Sequence, residues 1–296
     1  MLTTSLCRRL GIDYPIFCAP MGGGSAGPEL ASAVSNAGGL GALGLVALPA
    51  PYIRELIQRT QALTCKPFLA NLVIPNLQGG ELDACFDEKL PILGLFWGDP
   101  KPFVSDAHRR GIKVIPQIGS VEEAVAAAEA GVDAVIAQGV EAGGHVRSTT
   151  VLSVLLPAVV EAGKPVPVIA AGGIANGRGL AAALSLGAQA VVMGTRFLAS
   201  DEAHVSRAYK ERIVHNRAED TVLTGLFDIG WPDAPHRVLR NSRCSRAATG
   251  GSRFGESLRR HQAIRSATAT RPRHASHPGV VPSARRLQRI LQPTMA

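Results

Sequence analysis

The sequence predicts an α/β fold of the (β/α)8 TIM-barrel class. Short apolar runs rich in β-branched residues alternate with alanine-rich helical stretches through the first 213 residues, which is typical of a parallel sheet. Eight apolar runs occur, separated by roughly 20–30 residues, and a chain of 296 residues is long enough for one such barrel. The count of eight favours a closed barrel over an open doubly wound sheet.

Each element follows from a local pattern. The helical stretches, such as GPELASAVSNAG and SVEEAVAAAEAG, begin at a polar residue or proline and end at glycine, the usual start and stop signals. GVDAV and GAQAV precede the sixth and eighth strands and indicate a helix end followed by a buried strand. We predict strands over residues 14–19, 41–45, 67–71, 92–96, 112–117, 133–137, 166–170 and 190–194.

The chain divides into three predicted parts: a barrel over 1–214, a segment covering the barrel mouth over 215–242, and an atypical arginine-rich tail over 243–296. Residues 240–296 hold 12 arginines, no lysine and a single acid, Glu256, whereas residues 1–239 hold 22 acidic and 19 basic side chains. The net charge of +8 therefore comes from the tail, and we expect no nucleic-acid partner. We expect the tail to be a partly disordered extension.

Composition excludes several protein classes. No stretch of about 18 apolar residues is present and no apolar segment follows Arg8 and Arg9, so we expect a cytoplasmic protein without a membrane span. The five cysteines include no CxxC pair, which argues against a disulfide framework and a structural metal site. An oligomer is compatible with the sequence.

Barrel enzymes carry their chemistry on the loops that follow the strands, so these loops supply the candidate residues. After the first strand, APMGGGS places Ala19, Pro20, Met21 and Gly22 where backbone can approach a flat ligand, although a plain glycine turn has the same pattern. After the seventh and eighth strands, AAGGI and MGTRF offer glycine N–H groups and a hydroxyl, which predicts a phosphate-bearing cofactor. These residues are Ala171, Gly172, Gly173, Gly194 and Thr195.

Three carboxamides lie at neighbouring strand ends. Asn71 and Gln117 end the third and fifth strands, and Gln138 follows the sixth. An amide offers a donor and an acceptor without charge, which suits the polar edge of an isoalloxazine ring. Each of them could alternatively hydrogen-bond to its own loop.

His145 is the predicted catalytic residue. It ends QGVEAGGH, the loop after the sixth strand, and Gly143 and Gly144 let this loop turn the imidazole over the barrel mouth. We also expect Gly143 and Gly144 to contact the cofactor. A histidine there can accept a proton from a weakly acidic carbon or donate a hydrogen bond to an anion. Glu141 is the second candidate base, or else a helix-capping acid. No G-x-S-x-G elbow is present, which disfavours a hydrolase.

With these loops in place, the chain resembles the nitronate monooxygenase family of FMN-binding barrels. The resemblance rests on APMGGGS, Asn71, AQGVEAGGH, AAGGI, MGTRF and LFDIGWPDAPHRVLRNS, and covers about four-fifths of the chain, up to the arginine-rich tail, where it departs from the family. It implies non-covalent FMN, with the phosphate at Gly172, Gly173, Gly194 and Thr195. It also implies a small nitronate bound beside His145 and oxidised with O₂ to a carbonyl compound and nitrite.

Two alternatives remain at this point. FMN-dependent enoyl-acyl-carrier-protein reductases, which use NAD(P)H, are similar in the glycine–histidine loop and the phosphate loops. FWGDPKPF and GWPDAPHRVLRN look more like the nitronate branch. A non-catalytic protein that binds through its basic tail is the other alternative.

Overall fold

A computed structural model of the chain describes residues 3–227, 231, 234–242 and 244. Its main feature is one sheet of eight parallel strands in the order β1-β9-β8-β6-β5-β4-β3-β2. An isolated parallel bridge between Phe17 and Leu40 joins the two end strands, so the sheet closes into a TIM barrel, as the sequence predicts. The strands are β1 (Ile16–Cys18), β2 (Gly41–Gly44), β3 (Phe68–Val73), β4 (Ile92–Phe96), β5 (Lys113–Ile118), β6 (Val135–Gln138), β8 (Val168–Ala171) and β9 (Ala190–Met193).

Helices lie between the strands, and several start as their sequences predict. The side chains of Ser120 and Asn176 accept hydrogen bonds from backbone N–H groups in the first turns of α6 and α8. The helices are α1 (Ser5–Leu10), α2 (Pro28–Asn36), α3 (Ala50–Leu63), α4 (Glu81–Asp87), α5 (Lys101–Arg109), α6 (Val121–Glu129), α7 (Leu152–Ala162), α8 (Gly177–Ser185), α9 (Thr195–Leu198) and α10 (Arg207–His215). Single 3₁₀ turns occur at Ile74–Asn76 and Ala218–Asp220.

Two apolar cores hold the barrel. The larger lies between the strands and the surrounding helices, and the smaller fills the barrel interior. Interior side chains come from alternate strand residues, such as Leu69, Ile92 and Ile115, and the apolar face of α1 packs against them. Because α1 and these residues fill one end, the polar residues that continue the inward-facing rows lie at the other end, where the strands finish.

A small second sheet covers part of that end. β7 (Gly144–His145), β10 (Thr221–Thr224) and β11 (His236–Leu239) pair antiparallel in the order β10-β11-β7. These strands were not predicted, because two to four residues carry too little alternation to identify a strand. The division at 214 stays a prediction, as α10 runs to His215. The predicted tail lies outside the described residues except for Cys244.

The described residues contain few candidate functional sites apart from the barrel mouth. No helix within it is long and apolar enough to cross a membrane. Among the same residues, no group of three or more His, Cys, Asp or Glu side chains could hold a metal ion. All five cysteines are free thiols, and burial raises the pKa of Cys85 to about 12, which makes that thiol unreactive.

Candidate functional site

The inward-facing residues at the strand ends are small or carry amides. Asn71 continues the row of Leu69 on β3, and Gln117 continues the row of Ile115 on β5. Asn71 is only 8% exposed, and its Oδ1 would lie 3.0 Å from a Cβ atom placed on its β4 register partner, Gly94. The missing side chain at Gly94 therefore leaves room for the Asn71 amide.

The amides of Asn71 and Gln117 have no hydrogen-bond partner in the described part of the chain. The side chains of Asn71 and Gln117 make no hydrogen bond to any described residue, and their polar atoms are not sealed from solvent. A mostly buried amide without a protein partner is unusual, because desolvation without a hydrogen bond is unfavourable. Both amides are therefore available to a polar ligand at the barrel mouth, and their role in binding a cofactor stays a prediction.

Gln138 acts differently. Its Nε2 donates to the carbonyl oxygen of His145 at 2.9 Å, and its Oε1 accepts from the backbone N–H of Arg147 at 2.9 Å. The buried amide thus spans the loop that follows β6 and fixes the backbone on both sides of Val146. The structure therefore places Gln138 as a support for the His145 loop, apart from the Asn71–Gln117 pair.

The His145 loop packs directly against the two predicted phosphate loops. A Cβ atom on Gly172 would lie 3.2 Å from the nitrogen of Ala142, and one on Gly143 would lie 3.4 Å from Oγ1 of Thr195. Gly172 and Gly173 have φ of +117° and +68°, in the left-handed region that favours glycine. The glycine-rich loops after β6, β8 and β9 therefore form one continuous surface.

The loop after β1 borders the same surface. Ala19 donates its N–H to the carbonyl oxygen of Met193 at 2.9 Å, and a Cβ atom on Gly194 would lie 3.4 Å from Cβ of Ala19. The end of β2 packs on the Met21–Gly22 backbone so closely that any side chain at Gly44 would overlap the Met21 carbonyl. Ala19, Pro20, Met21 and Gly22 thus follow the barrel rim next to Gly194 and Thr195.

His145 lies at the rim with a defined hydrogen bond. Its Nδ1 is 2.9 Å from the carbonyl oxygen of Ala234. A carbonyl oxygen only accepts, so Nδ1 carries the proton and Nε2 carries the lone pair of the neutral ring. This tautomer suits a general base that acts through Nε2.

Sequence reasoning missed the residues that surround this imidazole. The ring centroid of His145 is 4.2 Å from that of Trp231 and 4.5 Å from that of His236, and Trp231 in turn contacts Trp97 at 4.9 Å. The motif GWPDAPHRVLRN contains two of these rings, but only the pairing of β11 with β7 brings them to His145. Burial, and secondarily the charge of His145, lower the pKa of His236 to about 4, so His236 is neutral at pH 7.

Glu141 has a structural partner. Both of its carboxylate oxygens lie 3.0 Å from the backbone N–H of Leu152, the first residue of α7. An acid at this position satisfies an otherwise unpaired N–H group and interacts favourably with the helix dipole. The capping role considered for Glu141 therefore has support in the geometry, and the structure gives no comparable support to its role as a base.

Glu141→Ala is expected to lower the free energy of unfolding by about 1 kcal/mol, the usual effect of losing a helix cap. The same change should leave the rate of substrate turnover within a few-fold, because His145 keeps its hydrogen bond to Ala234. Urea unfolding followed by circular dichroism measures the first effect. Glu161→Gln, at the far end of α7, is the control with little expected change. Loss of turnover without loss of stability would restore Glu141 as a candidate base.

The chain is similar to known proteins that carry more than one named activity. The profile described as nitronate monooxygenase matches residues 3–91 and 78–250. The chain is 36% identical to a (3aS,4S,5R,7aS)-5-hydroxy-7a-methyl-1-oxo-octahydro-1H-indene-4-carboxyl-CoA dehydrogenase of Mycobacterium tuberculosis, over 86% of this chain and 71% of that protein. It is 35% identical to a probable nitronate monooxygenase of Staphylococcus saprophyticus, over 76% of each. The structure of FabK from Thermotoga maritima matches with TM-score 0.79 and 38% identity, over 90% of this chain and 85% of that one.

Proposed function

The chain belongs to the nitronate monooxygenase family, whose members are flavin-dependent oxidoreductases, and from this premise we propose that it oxidises alkyl nitronates with O₂ to a carbonyl compound and nitrite, using FMN. The observation that carries the proposal is the His145 imidazole. Its Nδ1 donates to the Ala234 carbonyl oxygen at 2.9 Å, so Nε2 carries the lone pair when the ring is neutral, and the loop of His145 borders a glycine surface suited to a phosphate-bearing cofactor.

The residues present fit a bound FMN. The backbone N–H groups at Gly172, Gly173 and Gly194 and the Thr195 hydroxyl would hold the phosphate, since left-handed glycines let backbone approach an anion closely. Pro20 to Gly22 would follow the ring, and the amides of Asn71 and Gln117 would hydrogen-bond to its polar edge. When bound, FMN supplies the electron transfer and the reaction with O₂.

His145 would act on the substrate in two ways. The neutral ring would remove the proton next to the nitro group of a nitroalkane through Nε2. The resulting imidazolium would then donate a hydrogen bond to the nitronate oxygen, a charge-assisted bond of the stronger kind. A nitronate supplied as the anion needs only this second interaction, which requires that His145 has first taken a proton from solvent on Nε2.

A second candidate is reduction of an enoyl thioester by NAD(P)H through the same flavin. The likeness to a carboxyl-CoA dehydrogenase, at 36% identity, favours a thioester substrate to the same degree as the likeness to a nitronate monooxygenase favours a nitronate. In this alternative His145 would hydrogen-bond to the thioester carbonyl.

The purified protein is expected to be yellow, with flavin released on denaturation that matches FMN, and to form nitrite from nitronates under air. Anaerobic mixing with a nitronate should bleach the flavin absorbance without any nicotinamide. Rapid NAD(P)H oxidation with a crotonyl thioester, together with no nitrite from nitronates, would replace the first function by the second. A colourless protein that cannot be reconstituted with FMN would contradict both.

A further inference from the structure

A second imidazole lies directly against the proposed base. His236 on β11 is the register partner of His145 on β7, and their rings stack with centroids 4.5 Å apart and planes 24° from parallel. Phe227 contacts His236 edge-on at 5.9 Å. His236 thus contacts both Phe227 and the His145 ring, and the strand pairing sets its position.

The His236 ring makes no use of its polar edge within the described residues. Its Nδ1 is fully buried and has no hydrogen-bond partner there. Such an unpaired nitrogen is unfavourable, so hydrogen bonding within the described residues does not account for the position of this ring. The contact that His236 does make is the face of its ring against His145.

The charged side chains that the described residues place near this pair are engaged elsewhere. Arg237 on β11 donates from Nη2 to the carbonyl oxygen of Val140 at 2.9 Å, and Glu141 on the His145 loop accepts from Leu152. Arg147, in the same loop, pairs with Glu123 at 2.7 Å. The face of His145 towards β11 therefore meets a neutral ring.

We propose that His236 is a positioning residue for His145: its stacked ring holds the His145 imidazole in the plane in which Nδ1–H reaches Ala234 and Nε2 carries the lone pair. The inference rests on the proposed function, in which His145 is the base. It assigns to β11, through His236, a direct part in setting the tautomer of His145. Any flat neutral ring at position 236 fulfils this role.

Two substitutions separate stacking from other roles of His236. His236→Ala removes the ring and is expected to lower kcat about 10- to 100-fold, the scale on which small misplacement of a reacting group acts, with KM changed little. His236→Phe keeps a flat ring and loses no hydrogen bond, so it should recover most of this rate. Both proteins should retain FMN, which confirms that they fold.

A spectroscopic measurement tests the same point without turnover. The imidazole nitrogens of His145, assigned by comparison with His145→Ala in ¹⁵N-labelled holoenzyme at pH 7, should report the Nδ1–H tautomer in the unmodified protein and in His236→Phe. In His236→Ala the shifts should move towards a mixture of tautomers. Unchanged His145 signals and unchanged kcat in His236→Ala would overturn the inference.

The outcomes also distinguish this inference from the proposed function. If His145→Ala removes turnover while His236→Ala leaves kcat and the His145 signals intact, only the positioning role is wrong. If His145→Ala turns over every substrate at the unmodified rate, the base assignment is wrong and the positioning role is overturned with it. Equal losses in His236→Ala and His236→Phe, with unchanged His145 signals, would show that packing alone is responsible and overturn the inference.

Discussion

His145→Ala is expected to retain stoichiometric FMN and to lose turnover by about 10²–10⁴-fold, the usual span for a positioned acid–base group. FMN should stay bound because its proposed contacts come from Asn71, Gln117 and the loops after β1, β8 and β9. Steady-state oxygen consumption together with the absorbance ratio of flavin to protein measures both effects.

The size of the loss should depend on the form of the substrate. A neutral nitroalkane needs its proton removed and should lose most, whereas a preformed nitronate needs only a hydrogen bond and should lose less. His145→Asn keeps a hydrogen-bond donor but no base, so it should preserve nitronate turnover better than nitroalkane turnover. His215→Ala, on the exposed end of α10, is the matched control and should change neither. If both His145 variants oxidise both substrates at the unmodified rate, the imidazole is only a loop residue.

The barrel and the rim of the site were predictable because both depend on local patterns. Apolar runs and glycine ends repeat along the chain, so all eight strands could be placed, and the loops after them follow once the strands are known. Asn71, Gln117 and the glycine loops were assigned to the barrel rim in this way, and their contacts with a cofactor stay a prediction. Each lies at the end of a strand, where sequence position and spatial position coincide.

The environment of His145 was not predictable in the same way. Ala234, which accepts its Nδ1–H, lies 89 residues further along the chain, and β7 contains only two residues. Pairing at that separation depends on how the chain returns to the barrel mouth, which no local period encodes. From the sequence, Trp231 and His236 could therefore be identified only as part of a motif that resembles the family, and not as neighbours of His145.

The partner of a polar side chain is a second property that sequence does not determine. Asn71, Gln117 and Gln138 have the same chemistry at comparable strand ends. The loop after β6 turns its own backbone towards Gln138, which satisfies that amide, whereas Asn71 and Gln117 face the open barrel mouth. A similar difference makes Glu141 a cap of α7, because the loop bends back on the first turn of that helix.

Gly173→Val is expected to yield folded protein that has lost most of its FMN. Gly173 has φ of +68°, and a β-branched residue is strongly disfavoured in this left-handed region, by about 1–2 kcal/mol or more. Crowding is not the cause, since a Cβ atom there would lie 3.5 Å from Cβ of Glu141, an ordinary contact. The valine would instead move the backbone out of the left-handed conformation and turn the N–H of residue 173 away from the phosphate.

The structure also ranks the two glycines named for the phosphate. Gly194 has φ of −105°, which valine tolerates, and a Cβ atom there would meet Ala19 at 3.4 Å, so Gly194→Val should weaken FMN binding less than Gly173→Val does. Gly131→Val is the matched control: Gly131 has φ of +82° after α6, with no atom within 4 Å of an added Cβ, and lies before β6 at the opposite end of the barrel. It should lose a similar amount of stability and keep its flavin. Titration of each apoprotein with FMN, followed by flavin fluorescence, gives the comparison. Stoichiometric FMN in Gly173→Val, or equal loss in Gly131→Val, would show that the phosphate is held elsewhere.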